Sequence, residues 1–234
     1  MIDLKDFYSA GYFLIRRSHP GWTTLQQVLL PPLLLSLSSC LSPQFNLVWG
    51  MIPGDREGAL KFGIPEQRLD ECIKWCGYEY EADADIWGMF YSLDAARRFI
   101  QRFELPTEQL YLIETGLPVD IAQRDWHPFF DQKNDYGIEK RIAQKLPMED
   151  GGEPLGFEVV SFQYSGFSHS WLCSGLHQDM ADLFGIRPNG YGLIDTLEDA
   201  LKVYEWIKED EMKGTRAEPE PYDVWLLVSH ALDS

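Results

Sequence analysis

Ser168-His169-Ser170-Trp171-Leu172-Cys173 places an imidazole, a thiol and two hydroxyls in one short stretch, the side-chain types that nucleophilic catalysis draws on. A thiolate nucleophile needs a base within hydrogen-bond reach and a third group to orient that base. His169 and Cys173 are four residues apart, so they meet only if the stretch is helical. No acid or amide partner for them can be assigned. The same residues suit a structural role equally well, with Trp171 and Cys173 in a core and His169 bonded to backbone. A small hydrolase or transferase using Cys173 and His169 is therefore the alternative reading. Upstream, Ser18-His19-Pro20-Gly21-Trp22 also sets histidine before tryptophan, which suggests a repeated structural corner.

Four carboxylates, Glu79, Glu81, Asp83 and Asp85, alternate strictly. An extended backbone would present all four on one side, a surface able to steer a basic protein. The spacing and the missing central glycine exclude a helix-loop-helix calcium site. Cys72 and Cys76 would share a helix face, yet no third cysteine or histidine lies nearby, and both fall on an apolar stripe; core packing is the reading, and no metal or cofactor is expected. Asn189-Gly190-Tyr191-Gly192 follows neither phosphate-loop spacing and reads as a turn. Of the eight tryptophans, most should be core. The predicted binding residues are Glu79, Glu81, Asp83, Asp85, His169, Trp171 and Tyr191.

The elements that would carry these groups read as follows. Residues 11 to 15 and 45 to 49 are apolar runs of strand length. Leu69, Cys72, Ile73 and Cys76 fall at helical spacing, with Pro65 before them and Gly77 after, so a helix is predicted from 65 to 76. Ser92 caps a second helix with an inward stripe of Leu93, Ala96, Phe99, Ile100 and Phe103. A third begins at Thr196, and its stripe of Leu197, Ala200, Val203, Tyr204 and Ile207 repeats the second, each residue 104 positions later. Strand candidates follow both helices, at 109 to 113 and 222 to 228.

This parallel extends outward. Gly88 to Ala96 aligns without a gap on Gly192 to Ala200, Phe62-Gly63-Ile64 echoes Phe184-Gly185-Ile186, and Gly11-Tyr12 echoes Gly156-Phe157. The expectation is an α+β protein in which two similar halves, products of an internal duplication, pack as one compact body. The first half spans 1 to 118, with an insertion of about 18 residues around 64 to 86. A connecting segment spans 119 to 154, within which 146 to 155 has linker composition, and the second half spans 155 to 234. A polar break at 209 to 221 precedes the last strand.

Composition narrows the function. The chain has 234 residues, 37 acids against 20 Lys and Arg, and a net charge of −17, so nucleic acid and anionic membrane surfaces are poor partners. Cys40, Cys72, Cys76 and Cys173 do not form a disulfide framework and read as reduced thiols, which points to the cytoplasm. Residues 28 to 40 end in Leu37-Ser38-Ser39-Cys40, like a lipoprotein cleavage box. Pro31-Pro32 interrupts the run, and a buried core segment is the better reading. No established catalytic signature is present. The leading expectation is a non-enzymatic cytosolic binding protein for another macromolecule, a basic protein above all, much as an immunity protein neutralises a basic toxin. Oligomeric state is not legible.

Overall fold

A computed structural model describes residues 2–16, 35–38, 41, 56–85, 88–126, 137–163, 166–213 and 221–232. Five strands, β1 (Phe7–Arg16), β2 (Leu110–Pro118), β3 (Glu153–Gln163), β4 (Gly166–Ser170) and β5 (Tyr222–His230), form one sheet in the order β1-β2-β5-β3-β4. Every adjacent pair is antiparallel. The described helices are α1 (Arg56–Phe62), α2 (Leu69–Tyr78), α3 (Leu93–Arg102), α4 (Val119–Asp125), α5 (Gly137–Ala143), α6 (Leu176–Phe184) and α7 (Leu197–Lys213). The protein is a compact α+β body, and its sheet takes strands from both ends of the chain.

Strand alternation explains why β1 is apolar throughout. Tyr12 and Leu14 enter one core with Ala96 and Phe99 of α3 and with Phe103 just past its end. Phe13 and Ile15 enter a second core that also holds the α7 stripe of Ala200, Val203, Tyr204 and Ile207. Both faces of β1 are thus buried, so the alternating pattern of a half-solvated strand is absent. Leu35, Leu37 and Leu41 lie in the second core, with Ser36 and Ser38 buried beside them. That stretch of the apolar run is core.

The starts of α3 and α7 are both capped by a side-chain hydroxyl. The Ser92 hydroxyl accepts from Ala95 N and the Thr196 hydroxyl from Asp199 N, each satisfying an amide that the helix start leaves open. Phe90 bridges Tyr12, and Ile194 bridges Phe157. The β1 register slips by one residue before Gly11 and the β3 register by one before Gly156. Strands β2 and β5 meet with Thr115 opposite Leu227.

Several expectations change. The helix predicted from 65 to 76 begins with a 3-10 turn, Glu66–Arg68, and continues to Tyr78, so Gly77 lies inside it and does not terminate it. The supposed linker is packed: Met148 is buried, Pro147 bridges Tyr8, and β3 already starts at Glu153. The polar break begins later than expected, because α7 runs to Lys213. The strand predicted at 45 to 49 and the Ser18 to Trp22 corner lie outside the described residues.

Candidate functional site

The Ser168 to Cys173 stretch is not a single helix. His169 lies on β4, whereas Cys173 opens a 3-10 turn beyond it, so the helical spacing that would bring them together is missing. Cys173 is only 1 % exposed and Trp171 is fully buried, which removes both from incoming ligands. The His169 backbone amide donates to Ser161 Oγ at 2.8 Å. Cys72 is buried on α2, and its hydrogen bond with Cys76, reinforced by burial, pushes its thiol far above the usual range. Among the described residues no group of three or more His, Cys, Asp or Glu could hold a metal ion.

The acidic run is not extended. Glu79 caps the end of α2, Tyr80–Ala82 forms a 3-10 turn, and the four carboxylates diverge. Glu79 pairs with Lys74 and Arg102, and Asp83 with Arg98. Asp85 is buried and accepts from Met89 N at 2.9 Å. Glu81 remains exposed, near Tyr78, which is 84 % exposed. An adjoining groove of about 450 Å³ is lined by Trp75, Asp83, Arg98, Phe99, Arg102 and Phe103. Its two arginines are already paired with acids, which leaves the groove with little net charge.

Tyr191 belongs to a closed turn. Asn189 Oδ1 accepts from the amides of Tyr191 and Leu193, while its Nδ2 donates to Leu155 O and Asp195 Oδ1. The amide-rich loop therefore spends its donors internally. Trp75, Trp126, Trp171 and Trp225 are buried, as core aromatics should be, while Trp22, Trp49 and Trp87 lie outside the described residues.

A second polar cluster sits where α4 meets α7 and β5. Arg124 forks onto Asp125 at 2.8 and 3.0 Å, and Tyr204 donates to Asp125 at 2.8 Å. The Arg124 hydrogen bonds, aided by that of Tyr204, hold the Asp125 carboxyl down to about 2. Asp223 is buried and accepts from Trp126 Nε1 at 2.9 Å. Burial pushes it up to about 7. Two neighbouring carboxylates with opposed affinities can hold one proton between pH 2 and 7.

The loop leading into β3, which has the composition of a linker, is tied to the sheet. It begins on the outer edge of β1, where Ser9 N donates to Leu146 O at 2.8 Å, and then crosses the sheet face. Met148 seats against Gly116, and the Glu149 amide donates to both oxygens of Glu114 at 3.1 and 3.2 Å. Gly152 presses onto Val228 and His230 so closely that a Cβ there would sit 2.3 Å from Val228 Cγ1.

Glu114 is the anchor. It is fully buried in the middle of β2 and also accepts from Ser9 Oγ at 2.6 Å, with His230 Nε2 2.9 Å from its other oxygen. A buried carboxylate met from several sides costs far less than a bare one. Burial raises the Tyr12 phenol well above its ordinary range, and the negative charge and hydrogen bond of Glu114 add to that shift.

On top of this anchor stand Glu149, Asp150 and Glu153, all exposed, with Leu146 at 44 % exposure beside them. No ion pair among the described residues engages these three acids. Asp3 and Asp6, just before β1, are exposed as well. A signal for the loop existed in the sequence, in the acids spaced among Gly151, Gly152 and Pro154, but the same composition describes a tether.

No family model matches the chain, and neither a curated protein nor a solved structure matches it. Among the described residues no helix is long and apolar enough to cross a membrane.

Proposed function

We propose that this is a non-enzymatic, cytoplasmic binding protein that engages a basic macromolecular partner through the loop from Lys145 to Pro154, in the manner of an acidic immunity protein covering a cationic site. The observation that carries the reading is the trio Glu149, Asp150 and Glu153, which no ion pair among the described residues engages and which stands on a buried anchor, while Glu79 and Asp83 of the 79 to 85 run pair with arginines. A loop already fixed in place loses little conformational freedom on binding, and its charge speeds encounter with a cationic surface. Leu146 offers an apolar contact at the rim.

The same reading includes an internal duplication, with the halves related by an approximate twofold axis through the Thr115 and Leu227 pair. Support comes from the shared bulges at Gly11 and Gly156, the bridges of Phe90 and Ile194, and the caps of Ser92 and Thr196. The acidic loop crosses the sheet near that axis.

Charge reversal tests the surface. The triple substitution E149K, D150K and E153K is expected to weaken binding of a lysine-rich peptide by about ten- to a hundred-fold at low salt, measured by calorimetry. E81K is expected to change it less than two-fold or so, because the charge lies elsewhere. Equal affinity of the triple variant and the native chain would remove the loop from the binding surface.

A further inference from the structure

Glu158 on β3 is 1 % exposed, yet no cation among the described residues pairs with it. Its partners are neutral groups from distant parts of the chain: Ser36 Oγ and Leu37 N, the latter at 2.8 Å, and the Ser170 hydroxyl of β4. Around this carboxyl the segment from Leu35 to Ser38 is tied down repeatedly. Ser38 N donates to Ser36 Oγ at 3.1 Å, Ser38 Oγ donates to the Ser168 carbonyl, and Leu35 N donates to Tyr191 O at 2.9 Å. Leu35 and Leu37 are buried. One carboxyl therefore joins three stretches of chain far apart in sequence.

We propose that Glu158 is a proton-operated clasp, which holds the segment Leu35 to Ser38 shut against β3 and β4 while its carboxyl is neutral and loosens that segment when the carboxyl ionises. The geometry works in both states but unequally. A protonated carboxyl can donate to a serine hydroxyl, which turns to accept, while its carbonyl oxygen keeps the Leu37 amide. An ionised carboxyl keeps its donors but carries a buried charge with no counter-ion among the described residues, an expensive arrangement in a protein interior. Lifting the segment admits water and relieves that cost.

Burial pushes Glu158 up to about 7 even though its three hydrogen bonds pull the other way. A carboxyl raised in the closed form adds stability that is complete below the ordinary carboxylate range and fades as pH climbs through 7. Other titratable groups face the same region: His169 on β4, Asp223 on β5, where it pairs in register with Val160, and Tyr204 on α7. The four residues of the segment itself contain none. Asp223 also sits near 7, so its contribution must be separated.

Hydrogen exchange on the full chain separates them. After correction for intrinsic rates, opening at the Leu37 amide is expected to rise about 30-fold between pH 5.5 and 8.5. E158Q should remain flat over that range, since an amide keeps shape and hydrogen bonding without the charge, and D223N should retain the rise. S36A should open more readily at every pH while keeping the pH dependence. Constant protection of Leu37 in the native chain overturns the proposal, as does a rise that survives E158Q.

Discussion

Glu114→Ala is expected to lower stability by about 3 to 5 kcal/mol, the range seen when one partner of a buried charged network is removed. The physical cause is that three groups lose their acceptor together: Ser9 Oγ, the Glu149 amide and His230 Nε2. Ser9 and His230 have no evident route to water, because both are buried. Glu114→Gln keeps the shape and one acceptor oxygen, so its cost should be smaller, about 1 to 2 kcal/mol. Urea unfolding at pH 7 checks both. A loss below about 1 kcal/mol for the alanine variant would mean that the loop does not depend on this carboxylate. Its consequence for function is direct, since the anchor that fixes Glu149 is the one removed.

The second large effect concerns the β3 bulge. Gly156 has φ +138°, a region essentially closed to L side chains, and a Cβ there would stand 2.8 Å from Ile194 O. That oxygen accepts from Phe157 N at 2.7 Å, so it cannot retreat without breaking the bridge that closes the α7 corner. Gly156→Ala is expected to cost about 3 kcal/mol or more, backbone strain and overpacking acting together. Gly11 at the β1 bulge has φ +121°, but its Cβ would first meet the flexible end of Met89. Gly11→Ala should therefore be milder, and thermal melts should rank the variants in that order. Equal losses would mean that backbone strain alone decides, with no part played by the Ile194 carbonyl.

How much of this could be read from residue types depends on which physical signal each element carries. Helices α3 and α7 were legible because a cap and an apolar stripe at 3.6-residue spacing both act locally. Strand β1 was legible as an apolar run, although its length was not, since Phe7 and Arg16 join it only through pairing with β2. The acidic run misled because alternation of charge was treated like alternation of burial. Charges set no face unless one side is covered, and a turn forms at Tyr80 to Ala82 instead.

The acidic loop stayed hidden for a different reason. Gly152 fits under Val228 and His230, and those partners arrive from the other end of the chain. Local composition can mark a glycine as permissive but cannot name what it touches. A usable signal was present all the same: Glu114, Glu158 and Asp223 each interrupt an apolar strand. A carboxylate in such a run is either exposed on a half-solvated face or buried with partners. All three are buried, and they mark the loop anchor, the clasp and the α4 to β5 cluster. Residue type marks Cys173 as a reactive thiol, but only the packed fold shows that it is 1 % exposed.

The location of the binding surface is best tested by backbone amide chemical shifts of the full chain, recorded while a lysine-rich peptide is added at low ionic strength. The account predicts that perturbations gather on residues 145 to 154 and on the amides around Ser9, and that they fade as salt is raised. Shifts centred instead on Glu79 to Asp85, or no shifts at all, would contradict it.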